Sequence, residues 1–249
     1  MPGKPSLYGR MLTARAGGEA IDSHTRDLIA RLRAAGVETY DLFAFFGHQA
    51  RRPEPWYLRR DTHWSGEAAA MAAASVASRL KSLGWVTGGA RPYQERRLLV
   101  KRSSDIARMT RAPLIEAQFP VEDVACDQVV EAATGAPYRD DPAAPVLVLG
   151  DSFLRMYQTD DPGSAGFIAH LARNLRNPVA SIVNDGGAST LVRQELVRRP
   201  QLLKGKQVVV WEFVERDIRF GMEGWQIVQL PAEPVDGNRA AASYAGARP

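Results

Sequence analysis

Cysteine is almost missing from this 249-residue chain. Cys126 is the only one, which excludes an internal disulfide and any cysteine metal cluster. Histidine is scarce too, with four residues, so each imidazole can be weighed on its own. No apolar run approaches the roughly 20 residues needed to cross a bilayer. Met1-Pro2-Gly3-Lys4-Pro5 also lacks the apolar core of a secretory signal, which taken alone points to the cytoplasm. Neither charge dominates: 32 Lys and Arg stand against 28 Asp and Glu, a net +4. The small basic excess is scattered in pairs such as Arg51-Arg52 and Arg198-Arg199, beside no nucleic-acid motif. It reads as solvated surface, and no nucleic-acid partner is expected. With 45% hydrophobic and 24% charged residues the composition is that of an ordinary globular protein, long enough for one full core.

What is present centres on Val146-Leu147-Val148-Leu149-Gly150-Asp151-Ser152-Phe153. A short run of consecutive apolar residues rich in valine predicts a strand buried on both faces, ended by Gly150-Asp151-Ser152. In open α/β sheets the crevice at the carboxyl ends of strands is where ligands bind, so Ser152 is placed for chemistry. The same tripeptide is also good turn-and-cap chemistry for a helix beginning near Phe153.

Along the chain, residues 1–20 are rich in Gly and Pro and predict a loop. Leu28, Ile29 and Leu32 recur at helical spacing after the cap Asp22-Ser23, until Gly36 stops the helix. A buried strand is expected at Val37 to Tyr40. A short amphipathic turn follows from Asp41-Leu42-Phe43, with its phenylalanines in the core. Ser65 caps an alanine-rich helix from about Gly66 to Leu83, stopped by Gly84. Residues 86–145 show only fragments of order, a helix start at Ser103 to Met109 and a strand within Val121 to Val130, and read as an insertion-like connection. Beyond Ser152, Gly166 to Leu175 and Ser189 to Arg198 predict helices, and Val179 to Val183 and Gln207 to Trp211 predict strands. This alternation implies an α/β fold with parallel pairing. Residues 1–230 form one expected domain, and the Ala-, Gly- and Pro-rich residues 231–249 are expected to be a disordered tail.

A serine hydroxyl is a weak nucleophile until a histidine accepts its proton, and an acid must fix that histidine's tautomer. In Asp61-Thr62-His63-Trp64, just ahead of the alanine-rich helix, His63 alone among the histidines has an acid at a useful offset. If the segment is extended, Asp61 and His63 point to one side. The pair alone could be a structural hydrogen bond; with Gly150-Asp151-Ser152 it forms a specific signal for a Ser-His-Asp set. A metal would need a third convergent ligand, and the other histidines have no ligand spacing, so no metal is assigned. Asn184 and Gly186, after a predicted strand, could complete an oxyanion hole with the Ser152 N–H or form a plain turn. Trp64, Tyr57 and Trp225 could stack on a sugar or simply pack.

Asp61-Thr62-His63-Trp64 with Gly66, Gly150-Asp151-Ser152-Phe153, and Trp211-Glu212-Phe213 with Arg216 together resemble the alginate O-acetyltransferase family, whose catalytic domain is SGNH-hydrolase-like. The likeness spans roughly residues 37–228 and takes in the weaker Asp105-Ile106 and Gly186-Gly187 stretches. In typical SGNH hydrolases the serine motif comes first; here the order is reversed, as in the alginate-type family. The resemblance implies a three-layer fold with a mostly parallel central sheet, Ser152 as nucleophile, His63 as base and Asp61 as orienting acid. It also implies transfer of acetyl groups to an exopolysaccharide in the periplasm or cell envelope through an acetyl-serine, with no cofactor. The donor would come from a membrane-bound acyltransferase. The same triad would serve a carbohydrate acetylesterase, and the fold alone would serve a non-catalytic polysaccharide-binding or assembly subunit.

Overall fold

The computed structural model describes residues 1–12, 23–48, 55–185, 187–219 and 225–230. In chain order they form α1 (Lys4–Leu12), α2 (Ser23–Ala34), α3 (Leu42–His48), α4 (Gly66–Ser82), β1 (Tyr93–Arg102), α5 (Asp105–Met109), α6 (Pro113–Glu116) and β2 (Glu122–Glu131). There follow β3 (Val146–Gly150), α7 (Ser152–Arg155), α8 (Phe167–Leu175), β4 (Ala180–Val183), α9 (Leu191–Arg198), β5 (Val208–Trp211) and α10 (Glu215–Arg219).

All five residues of β3 are buried, and the strand lies between β4 and β5, parallel to both, with Val148 opposite Ser181 on one side and Val210 on the other. Its side chains alternate between two cores, as the pleat requires. Val146 and Val148 enter the larger core, shared with α4 and α8, while Leu147 and Leu149 meet Ile182, Val192, Leu196 and Leu202. Helices therefore cover both faces of a small parallel sheet, giving three layers. α4 packs along α8 through a stripe of buried small residues, Ala69, Ala72, Ala73 and Ala77, at helical spacing. Ser65 caps α4 through Ala68 N–H at 3.2 Å, and Gly84 follows its end at φ +69°.

Two expectations need correction. Residues 4–12 are helical rather than loop: Pro5 sits in the first turn, where its missing N–H costs nothing, and Gly3 N–H holds the start to Glu215 Oε2 at 2.8 Å. Val37 to Tyr40 form no strand; Val37 is 48% exposed, and Glu38 reaches across to Arg79 at 2.8 Å. Two apolar residues separated by Glu-Thr had too little apolar surface to enter the sheet. The connection at 86–145 contains the expected helix start as α5 and the expected strand as β2, and adds β1, which pairs with β2 in a ten-pair antiparallel ladder from Tyr93 opposite Glu131 to Arg102 opposite Glu122 that packs on α4 and α8. The tail at 231–249 lies outside the described residues.

Gly150 is required by close approach. A Cβ there would fall 2.4 Å from Leu154 Cδ1 and 2.7 Å from Glu212 Oε2. Leu154 is fully buried and cannot swing aside. Gly150→Ala is expected to destabilise the protein by about 1–3 kcal/mol, as overpacking does, read as a lower urea midpoint at unchanged m-value.

Candidate active site

Residues 56–65 form a tight loop, closed by Ser65 N–H to Trp56 O at 2.8 Å and Leu58 N–H to His63 O at 3.2 Å. Asp61 and His63 share a side without an extended backbone. Instead Asp61 Oδ1 accepts the His63 backbone N–H at 2.9 Å, an Asx-type turn, and lies 2.7 Å from His63 Nδ1. One carboxylate oxygen thus fixes both the backbone and the ring. The loop's other polar backbone groups are also held. Lys4 Nζ donates to the carbonyls of Leu58, Arg59 and Asp61; Glu122 accepts the N–H of Arg59 and Arg60; Ser104 Oγ donates to Arg60 O.

The partner segment starts where β3 ends. Asp151 is the cap of α7, accepting Phe153 N–H at 2.8 Å, so Ser152 is not needed for capping. Ser152 Oγ lies 2.9 Å from His63 Nε2. Both side chains are largely buried, and the Phe153 ring packs against the imidazole at 5.0 Å between centroids. Trp64 Nε1 donates to Phe153 O at 3.0 Å and joins the two segments from behind.

A second carboxylate reaches the same imidazole. Asp105 Oδ2 lies 3.4 Å from His63 Nδ1, Asp105 Oδ1 accepts Thr62 N–H at 2.9 Å, and the Thr62 hydroxyl donates to Asp105 Oδ2. Donor atoms of Asp61, His63 and Asp105 fall within 4.8 Å of one another. The two ring nitrogens are nonetheless engaged, Nδ1 with Asp61 and Nε2 with Ser152, so the cluster is arranged as a hydrogen-bonded relay. Burial lowers the His63 pKa, but hydrogen bonds to Asp105 and Asp61 outweigh it, and the net shift is upward from 6.5. Burial works to raise the Asp105 pKa, but its bonds to His63 and Thr62 more than offset that and hold it well below the usual carboxylate range.

The profile of the ALGX family, described as an SGNH hydrolase-like domain, acetyltransferase AlgX, matches residues 1–215. The chain belongs to that family. Two curated relatives, both called probable alginate O-acetylase AlgJ, are 25% identical to it. The Pseudomonas aeruginosa protein aligns over 98% of this chain and 65% of its own length, and the Pseudomonas putida protein over 87% and 56%. The chain therefore spans less than two thirds of either. Among solved structures, the O-acetyltransferase domain of P. putida AlgJ matches with a TM-score of 0.70 at 23% identity, over 88% of this chain and 74% of that one. P. aeruginosa AlgX matches with 0.55 at 18% identity, over 75% and 43%. These likenesses show the fold. The family match begins at Met1, upstream of residue 37, where the motifs placed its start.

Within this ALGX-type domain the structure brings Ser152, His63 and Asp61 together, as the motifs implied. Asn184 follows β4 and donates its N–H to Gly150 O at 3.0 Å, at the end of β3; Gly186 lies outside the described residues. Trp64 and Tyr57 are corrected to packing residues. They are 0% and 1% exposed, and neither offers a face to a sugar. Trp225 is 38% exposed and clusters with Trp211 and Phe213. Two residues were missed. Asp105 is in the least periodic part of the chain, where only the Asp105-Ile106 likeness marked it, and Lys4, in a stretch read as loop, had no signal.

Behind Ser152 lie the buried Asp151 and Glu212, with the half-buried Asp217 near them. Burial, then the nearby Asp151 charge, raises the Glu212 pKa to about 8; burial likewise raises those of Asp151 and Asp217. Burial thus favours the protonated form of Glu212 far above the usual carboxylate range. With a folded pKa above its unfolded 4.5, its contribution is intact below pH 4.5 and is lost as pH rises towards 8. Glu212→Gln, which keeps the shape without the titration, is expected to flatten that decline; melting temperatures at pH 5 and pH 8 check it.

Proposed function

We propose that the protein is a serine-dependent O-acetyltransferase acting on hydroxyls of an envelope polysaccharide, with Ser152, His63 and Asp61 as its triad. The reading rests on one continuous chain of contacts, Ser152 Oγ to His63 Nε2 at 2.9 Å and His63 Nδ1 to Asp61 Oδ1 at 2.7 Å. Its chemistry is two-step. Ser152 Oγ attacks the donor's acetyl carbonyl carbon while His63 Nε2 takes the hydroxyl proton. The donor's leaving group departs with that proton, giving acetyl-Ser152. An acceptor hydroxyl then passes its proton to Nε2 as its oxygen attacks the acetyl carbon, and Ser152 regains a proton as it leaves. Ser152 is the first residue of α7, where helix N–H groups have no intrahelical partner, so its N–H is the natural oxyanion donor. Asn184, tied to Gly150, is proposed as the second. The polysaccharide acceptor, the periplasmic setting and an acetyl donor supplied by a membrane-bound acyltransferase follow from the family resemblance. The P. aeruginosa and P. putida relatives, named alginate O-acetylases, support the acceptor class.

The test is to incubate the protein and Ser152→Ala with an activated acetyl ester, with and without an acidic polysaccharide. Serine-dependent acetate on the polymer is expected, with at least a 10³-fold loss in the variant. Acetate released only into water would make the enzyme an acetylesterase, and no serine-dependent release would leave a binding subunit. Because His63 must be neutral to accept a proton and its pKa is raised, the acid limb of kcat/KM is expected above pH 6.5.

A further inference from the structure

We propose that Asp105 is a second positioning carboxylate for His63, sharing the Nδ1–H with Asp61 and holding the imidazole on Ser152. The inference rests on the triad reading and adds a fourth member to it. Asp105 does not cap its own helix; Ser104 does, accepting Ala107 N–H at 3.0 Å. Its carboxylate is instead turned onto the loop. Both Asp105 oxygens are fixed by Thr62, the residue between Asp61 and His63, through its N–H and its hydroxyl. That clamp sets Oδ2 3.4 Å from Nδ1, on the ring edge already bound by Asp61. Asp105 is 8% exposed, so its charge acts on the ring with little screening by water.

An imidazolium forms at His63 in both steps of the transfer, and two carboxylates at Nδ1 stabilise it more than one. They also oppose rotation of the ring away from Ser152. The other charged groups around the imidazole come from every neighbouring element. Asp151 sits beside Ser152, with Glu212 behind it. The Arg216 guanidinium of α10 lies 5.7 Å over the Phe153 ring that packs on His63. Lys4 of α1 and Glu122 of β2 hold the loop from the far side. Removing the Asp105 charge leaves this set otherwise intact, and Asn at 105 can still accept Thr62 N–H and donate to the Thr62 hydroxyl.

The measurement is the titration of the His63 imidazole by NMR in the wild type, Asp105→Asn and Asp61→Asn, alongside pH profiles of acetyl-ester turnover. In Asp105→Asn the midpoint is expected to fall by about one pH unit. The acid limb of kcat/KM should move down with it, and the plateau should fall about tenfold; a purely structural role would lower the plateau and leave the limb in place. In Asp61→Asn the remaining carboxylate should keep the midpoint above 6.5 and limit the rate loss to about a hundredfold, against the ~10⁴ seen when a triad's lone acid is neutralised. An unmoved midpoint in Asp105→Asn, or a midpoint at or below 6.5 in Asp61→Asn, overturns the proposal. If Asp105→Asn does not fold, Asp61→Asn decides. Should the wild type turn over no ester through Ser152, the triad reading fails, while the titrations still test whether Asp105 acts on His63.

Discussion

The indole of Trp64 is the fixed point of the molecule. Its Nε1–H donates to Phe153 O, and the Tyr157 hydroxyl donates to Trp64 O at 3.2 Å, so Trp64 is tied at both ends to the chain around Ser152. Its ring meets Phe153 edge-on and stacks on Phe167. Such a hydrogen bond is worth only about 1 kcal/mol net. Breaking it, however, would strand a buried donor inside close-packed aromatics, which costs more. Trp64, in the loop that carries His63, the proposed base, and Phe153, in the helix that starts at Ser152, the proposed nucleophile, are 89 residues apart in sequence, yet this contact ties the two segments together.

Charge is managed differently on the two sides of the Ser-His axis. Behind Ser152, Glu212 lies out of water beside Asp151, and burial together with the Asp151 charge raises its pKa to about 8. Beside His63, Asp105 is held ionised by the imidazole and by Thr62. In the proposed reaction, a protonated Glu212 adds no negative charge behind Ser152, whereas an ionised Asp105 beside His63 favours the imidazolium. Glu212 and Asp105, carboxylic acids on the two sides of the Ser152–His63 contact, are therefore shifted in opposite directions.

The parts legible in sequence were those with a local cause. β3 could be read because burial on both faces leaves an unbroken apolar run, and α4 because Ser65, the alanine stripe and Gly84 are punctuation within one helix. The Asp61, His63 and Ser152 constellation was legible from its motifs. Trp64 was misread because a tryptophan beside an Asp-Thr-His stretch looks the same whether its face meets a sugar or Phe167. The Val37 to Tyr40 segment was misread because two apolar residues suffice for a pattern but not for a place in the sheet. Lys4 and Asp105 act only across tertiary contacts, with Lys4 reaching 54 to 57 residues along the chain, so periodicity carried no trace of their roles.

The connection at 86–145 shows why such residues matter. Gly66, at the start of α4, packs closely on β2: an added Cβ would lie 3.3 Å from Ala125 O and 3.4 Å from Cys126 Sγ, so the strand would have to give by a few tenths of an ångström. The β1–β2 ladder therefore sets the position of the helix that follows His63, and the chain between its strands delivers Ser104 and Asp105 to the loop before it. With Lys4 from α1 and Glu122 from β2, the base loop is held by three elements distant from it in sequence. A loop of ten residues has few internal bonds to stiffen it, so its geometry must come from outside. The stretch that looked least organised supplies Ser104, Asp105 and Glu122 to the loop that carries the imidazole.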